Sequence, residues 1–148
     1  MGARITFESD QALVEIDEQS RLVSLIWKGH AAGEQYRAPS IGVLKAVQDH
    51  GMEYFLSDAR RMGLILYDDR AWSEREIIPK LIEAGLKRIA IVSSSDGLNL
   101  IAVDNMVNTI PTEAPLSVAF FDDPSAAQTW LLQKDSVDVS LPERAKGV

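Results

Sequence analysis

Three stretches of the chain point to an α/β fold: a mixed sheet in which antiparallel N-terminal strands flank a parallel β-α-β core, with helices packed on the sheet. The first is Glu53 to Val92, EYFLSDARRMGLILYDDRAWSEREIIPKLIEAGLKRIAIV. An apolar run ends in Ser57-Asp58 and meets a charged loop. An interrupted helix follows, with Trp72 near its start and Pro79 inside it. Gly85 stops that helix and a second apolar run begins, which is the order of a β-α-β crossover. The second stretch is Ala12–Asp17, where Val14 and Ile16 alternate with Glu15 and Asp17 in the period of a half-buried strand. The third is Asp123-Pro124, an N-cap followed by a proline at the first helical position.

Taken in order, Ile5–Phe7, Ala12–Asp17 and Arg21–Trp27 are expected strands, joined between the last two by the polar turn Asp17-Glu18-Gln19-Ser20. In Arg21–Trp27 both faces are apolar apart from Ser24, so this strand should lie deeper in the sheet. Helical patterning takes over after Gly29, with Ile41, Leu44 and Val47 spaced by three and Gly51 as the C-terminal cap. Pro39 marks a kink or the first turn of this helix. After the crossover, Ser94–Gly97 reads as a turn, Leu98–Ile110 as a helix ended by Pro111, and Leu116–Phe121 as a strand. A last helix carries Ala126, Ala127, Trp130 and Leu131. Residues 1–133 should form a single domain and 134–148 a polar C-terminal tail.

A domain of 148 residues buries enough apolar surface to need no disulfide or metal staple. With no cysteine, disulfides, thiolate metal sites and cysteine catalysis are excluded. The net charge of −7 argues against a general nucleic-acid binder, although Arg60, Arg61 and Arg70 can gather into a local basic patch. No apolar run approaches the roughly 20 residues needed to span a bilayer, and the N-terminus lacks a signal-peptide core. A cytoplasmic location is the expectation.

The element order, together with the Asp58-Ala59-Arg60 strand exit, Trp72, Pro79, Ala84-Gly85-Leu86-Lys87-Arg88 and Phe121-Asp122-Asp123 leading to Ala127 and Trp130-Leu131, resembles the STAS domain. It is most similar to the SpoIIAA-like family, whose fold is akin to the CRAL-TRIO lipid-transfer domains. The likeness runs from about Ile5 to Leu132. It implies the mixed sheet described above. STAS antagonists carry a phosphorylatable serine just after a central strand, but here Ala59 and Arg60 occupy that place. The phosphoserine switch is therefore not carried over.

Asp58, Arg60 and Arg61 stand at the carboxyl end of an expected parallel strand, where open sheets place ligand crevices and where arginines can hold a carboxylate or phosphate. The alternative is an Asp58 that caps its turn and pairs with a nearby arginine. Asp68 and Asp69 precede Trp72; helix capping accounts for them, and Mg²⁺ binding lacks a third ligand at a convincing spacing. Trp72 is either a core anchor or the wall of a pocket. His30, taken to begin a helix, and His50, at a helix end, lack an evident catalytic or metal partner in the sequence. On Leu98–Ile110 the residues Leu98, Leu100, Ile101, Val103, Met106, Val107 and Ile110 exceed one narrow stripe. A homodimer or protein-partner interface, the lining for a small apolar ligand, or cover by the C-terminal tail can each account for that excess.

The expected function is a non-enzymatic STAS-like binding or regulatory module, with no cofactor and no metal. Its recognition surfaces would be the Asp58–Trp72 loop and the Leu98–Ile110 helix. The alternatives are an apolar, lipid-like ligand carrier, marked by a cavity beneath Leu98–Ile110, and a hydrolase or transferase using Asp58, Asp68 and the arginines.

Overall fold

The computed structural model describes residues 2–93 and 98–133, with residues 98–100 described by backbone alone. The expected turn Ser94–Gly97 and the polar stretch 134–148 lie outside the described residues. Strands β1 (Arg4–Glu8), β2 (Ala12–Asp17) and β3 (Leu22–Trp27) form an antiparallel meander. Strands β4 (Tyr54–Asp58), β5 (Arg88–Val92) and β6 (Ser117–Phe121) continue from β3 in parallel. The six strands lie side by side in the order in which they are made. The expected mixed sheet is therefore present, with strand ends shifted by a residue, a difference that fraying accounts for.

Register sorts the side chains into two faces. Val14, Leu25, Ser57 and Ile91 share one row across β2–β5, and Ile16, Val23, Phe55, Ile89 and Val118 share the next. Helix α1 (Glu34–His50) covers this face with Val43, Leu44, Ala46 and Val47. It is joined by α2 (Tyr67–Trp72), a π-helical segment Ser73–Ile77, α3 (Ile78–Glu83) and α4 (Leu98–Val107). The opposite face carries Leu56, Ala90, Val92 and Ala119, and α5 (Pro124–Leu131) seals it with Ala127, Trp130 and Leu131. Strand β5 is buried at all five positions because both layers cover it, which is why it lacks any alternation.

Local sequence explains the shape of the crossover. Pro79 has no N–H, and in a regular helix its ring would meet the Arg75 carbonyl four residues back. The chain instead widens: the Ile78 N–H reaches the Ser73 carbonyl, five residues back. The expected interruption is thus a π turn, and Trp72 closes α2 instead of standing near the start of the helix. Gly85, at φ +99°, then lets the chain leave α3.

Three helical expectations are corrected. Helix α1 begins at Glu34, so His30 lies in the preceding loop; Gly33, at φ 60° and ψ −128°, is held outside helical space. Pro39 consequently sits inside α1, buried against the core, and not in its first turn. Helix α4 ends at Val107, short of Ile110. The Thr109 and Ile110 N–H groups bond the Met106 and Val107 carbonyls, tightening the last turn, and Pro111 offers no further donor.

Candidate functional site

The helical layer does not fill the space above β3, β4 and β5. A cavity of about 120 Å³ remains between the sheet and α1, the π segment, α3 and α4. Leu25, Phe55 and Ile91 form its floor, Val43, Ile77 and Leu81 its sides, and Val103, Met106, Val107 and Ile110 the part nearest α4 and its tightened end. No charged side chain lines it among the described residues. The polar groups in the wall are those of Tyr36, Ser40, Ser57 and Ser73. The Ser40 hydroxyl is committed to the Tyr36 carbonyl at 2.9 Å.

Tyr36 organises one side of the cavity. It follows the same stripe as Ser40, Val43 and Val47, at helical intervals of four, three and four. Its ring stacks on Trp27 at 5.5 Å and 7°, and meets the edge of Trp72 at 6.4 Å. Its hydroxyl lies 2.7 Å from Ser73 Oγ, and either oxygen can donate. Burial pushes the Tyr36 phenol up to about 12. The Ser73 hydrogen bond opposes that shift, and the nearby charges of Asp69 and Arg37 pull in opposite directions. The phenol is therefore neutral throughout the physiological range.

The acidic pair on α2 is not a capping pair. Leu66 stands at the N-cap of α2, with no side-chain cap bond. Asp69 is buried, and its carboxylate accepts from the Gly33 N–H at 2.9 Å and from Arg37 Nε at 3.0 Å, pinning the start of α1 to α2. Asp68 is exposed. Trp72 is half-buried, with Arg37 over its ring at 5.2 Å and Tyr36 at its edge. It backs Tyr36 and is not itself part of the cavity wall.

At the carboxyl end of β4, Asp58 is buried and Arg60 grips it bidentately, at 2.9 and 2.8 Å, with the Arg60 backbone N–H adding a third bond. Burial would raise the Asp58 carboxyl, but the Arg60 hydrogen bonds and charge, with Arg61 behind, hold it below the ordinary carboxylate value. Arg61 is exposed. From β3 to β6 the strand order runs one way without reversal. This edge consequently has no topological switch point of the kind that opens a ligand crevice.

On α4 the excess of apolar residues divides. Val103 and Val107 are buried, Met106 lines the cavity, and Ile101 is 64% exposed. The side chain of Leu98 lies outside the described residues. Of the residues singled out in the sequence, Val103, Met106, Val107 and Ile110 reach the cavity and Trp72 stands next to it through Tyr36. Asp58, Arg60 and Arg61 form a separate charged edge. Tyr36 and Ser73 did not stand out in the sequence. The available signal was the extension of two helical stripes, Tyr36-Ser40-Val43-Val47 and Ser73-Ile77-Leu81, through polar positions. Among the described residues, no group of three His, Cys, Asp or Glu could hold a metal ion, and no helix is long and apolar enough to cross a membrane.

A six-stranded mixed sheet with three layers of this kind defines the SpoIIAA-like fold, and the chain has it. An uncharacterized protein of the DUF3478 family from Shewanella loihica PV-4, whose crystal structure has a SpoIIAA-like fold, matches with a TM-score of 0.52. The match covers 88% of this chain and 92% of that one, at 18% identity, a level at which the likeness is one of fold. No family model and no curated protein matches the sequence.

Proposed function

We propose that this chain is a non-enzymatic binding module with the SpoIIAA-like fold, which takes a small apolar molecule into the space between its sheet and its helices. The observation that carries this reading is the cavity of about 120 Å³ beneath α4, which no charged side chain lines among the described residues. Apolar cavities of roughly this size, about 150 Å³ in an engineered case, stay dry and admit benzene. The lining favours binding over chemistry: among the described residues it holds no His, Asp, Glu or Lys to serve as a base. A benzene titration followed by methyl NMR tests the reading. Saturable shifts are expected at Leu25, Val43, Val103 and Val107, and Val107→Phe, which fills the cavity, is expected to abolish them. A wild-type protein whose lining methyls do not respond would sink the reading.

A second reading, recognition of a protein partner or a second copy, is favoured by the loop entering α2. It exposes Leu64, Leu66 and Tyr67, the last at 70%. Sedimentation should then show a species of twice 16.3 kDa that Leu66→Ser with Tyr67→Ser returns to a monomer. A monomer at every concentration removes the second copy from consideration.

A further inference from the structure

We propose that the cavity selects a compact neutral molecule, about the size of one six-membered ring, whose single hydroxyl or carbonyl oxygen docks on the Tyr36–Ser73 pair. This rests on the ligand-binding reading above and narrows it to a chemical class: small alcohols, phenols and ketones. Size sets the first limit. A cavity of about 120 Å³ is well below the roughly 300–1,000 Å³ of sites for drug-sized ligands. A long acyl chain has no room unless the helices part from the sheet.

Charge sets the second limit. Among the described residues, the lining offers no cation to a carboxylate and no carboxylate to an ammonium group. Burying an unpaired ion there is far more costly than burying a neutral hydroxyl that finds a partner. Arg37 is engaged by Asp69, behind the aromatic cluster, and is not in the wall. Ionised fatty or aromatic acids should therefore be refused.

The hydroxyl pair supplies the positive selection. Two hydroxyls bonded to each other at 2.7 Å use one donor and one acceptor site; the Tyr36 hydroxyl also faces Met106 Sδ at 4.0 Å, a weak acceptor that a ligand oxygen can replace, and further lone pairs stay open to a ligand donor. Both groups are pre-positioned. Trp27 and Trp72 hold the Tyr36 ring on two sides, and the π turn sets Ser73 and Ile77 into the same wall. A single-turn π insertion is a common device for aiming a side chain at a functional site. Because the phenol stays neutral, it keeps its proton across the physiological range.

Calorimetric titration with phenol, benzene and benzoate at neutral pH tests the proposal, using the wild type, Tyr36→Phe and Ser73→Ala. Phenol should bind wild type more tightly than benzene does. Each variant should lose about 3- to 10-fold in phenol affinity, the worth of one net hydrogen bond, while benzene affinity changes by less than about 2-fold. Benzoate, ionised at this pH, should not bind. Parallel phenol and benzene affinities in all three proteins would overturn the hydroxyl anchor and leave the cavity reading standing. Benzoate binding as tightly as phenol would overturn the neutral class. Failure of both benzene and phenol to bind the wild type removes the cavity reading and this inference with it. Should one variant unfold, the other carries the comparison.

Discussion

Tyr36 is 5% exposed, and its hydroxyl is hydrogen-bonded to Ser73 Oγ at 2.7 Å. Its raised pKa makes stability depend on alkaline pH. The protonated phenol is the form the fold accepts, so its contribution is intact below the unfolded value of about 10 and is lost as pH rises toward about 12. Urea unfolding across that window should show falling stability in the wild type and a flatter profile in Tyr36→Phe. Identical profiles would mean that Tyr36 is not held neutral by burial. Asp58 behaves in the opposite sense. Its carboxyl is held low by Arg60, so the stability it supplies is present above the unfolded value of about 4 and fades as pH falls below it. Because Arg60 is 47% exposed, the pair is expected to contribute only about 1 kcal/mol. Asp58→Asn should lose that amount at pH 7 and soften the acid limb of the stability curve. Such roles are poorly readable from sequence when the partner is distant. Asp69 looked like a helix cap because the cap rule is local, whereas its partners Gly33 and Arg37 lie on another element, 36 and 32 residues away. Asp58 was easier, since Arg60 is two residues on.

The elements themselves were largely written in the chain's periodicity and punctuation. Alternation marked β2, two apolar faces marked β3, and Asp123-Pro124 opened α5, where the Asp123 carboxylate accepts the Ala126 N–H at 2.9 Å. Pro79 announced a break in the crossover helix, but not its form, because an apolar stripe does not distinguish a regular turn from one widened by a residue. The start of α1 was misplaced for a related reason: residues 30–33 carry no strong helix breaker except Gly33, whose backbone angles show themselves only in the fold. Gly85 affords a clean test at this level. A Cβ there would meet nothing within 4 Å, so substitution strains the backbone alone. Gly85→Ala is expected to cost about 1–2 kcal/mol in chemical denaturation. A neutral outcome would show that α3 can end without a positive φ.

Two cores share one sheet. The larger lies under α1, the crossover helices and α4; the smaller lies, among the described residues, under α5. Arg88 ties the smaller core together: it is buried beside Tyr54 and donates to the Leu131 carbonyl at 2.6 Å and the Gln133 carbonyl at 3.0 Å, at the negative end of α5. Trp130 supplies the largest apolar surface that α5 sets against the sheet. Trp130→Ala is expected to lose about 3–5 kcal/mol, read as a lowered urea midpoint. A loss below 1 kcal/mol would mean that α5 is not needed to close that face. The fold class was readable because apolar runs and helical stripes alternate in a fixed order. The cavity was not, since it is space left between side chains from seven elements and the loops between them, and belongs to no single stretch of sequence.

The strictly successive order of the strands has a consequence at the ribosome. Each strand's neighbour has already been synthesised when that strand emerges, so the sheet can be wound outward from β1 without waiting for a distant partner. The face carrying Leu56, Ala90, Val92 and Ala119 is different, because its cover is the last described helix of the chain. At about 5–20 residues per second, the nascent protein exposes that apolar face for several seconds before α5 arrives. The smaller core is therefore where chaperone capture or nascent-chain aggregation should concentrate, and a chain stopped at Asp122 should carry that exposure permanently.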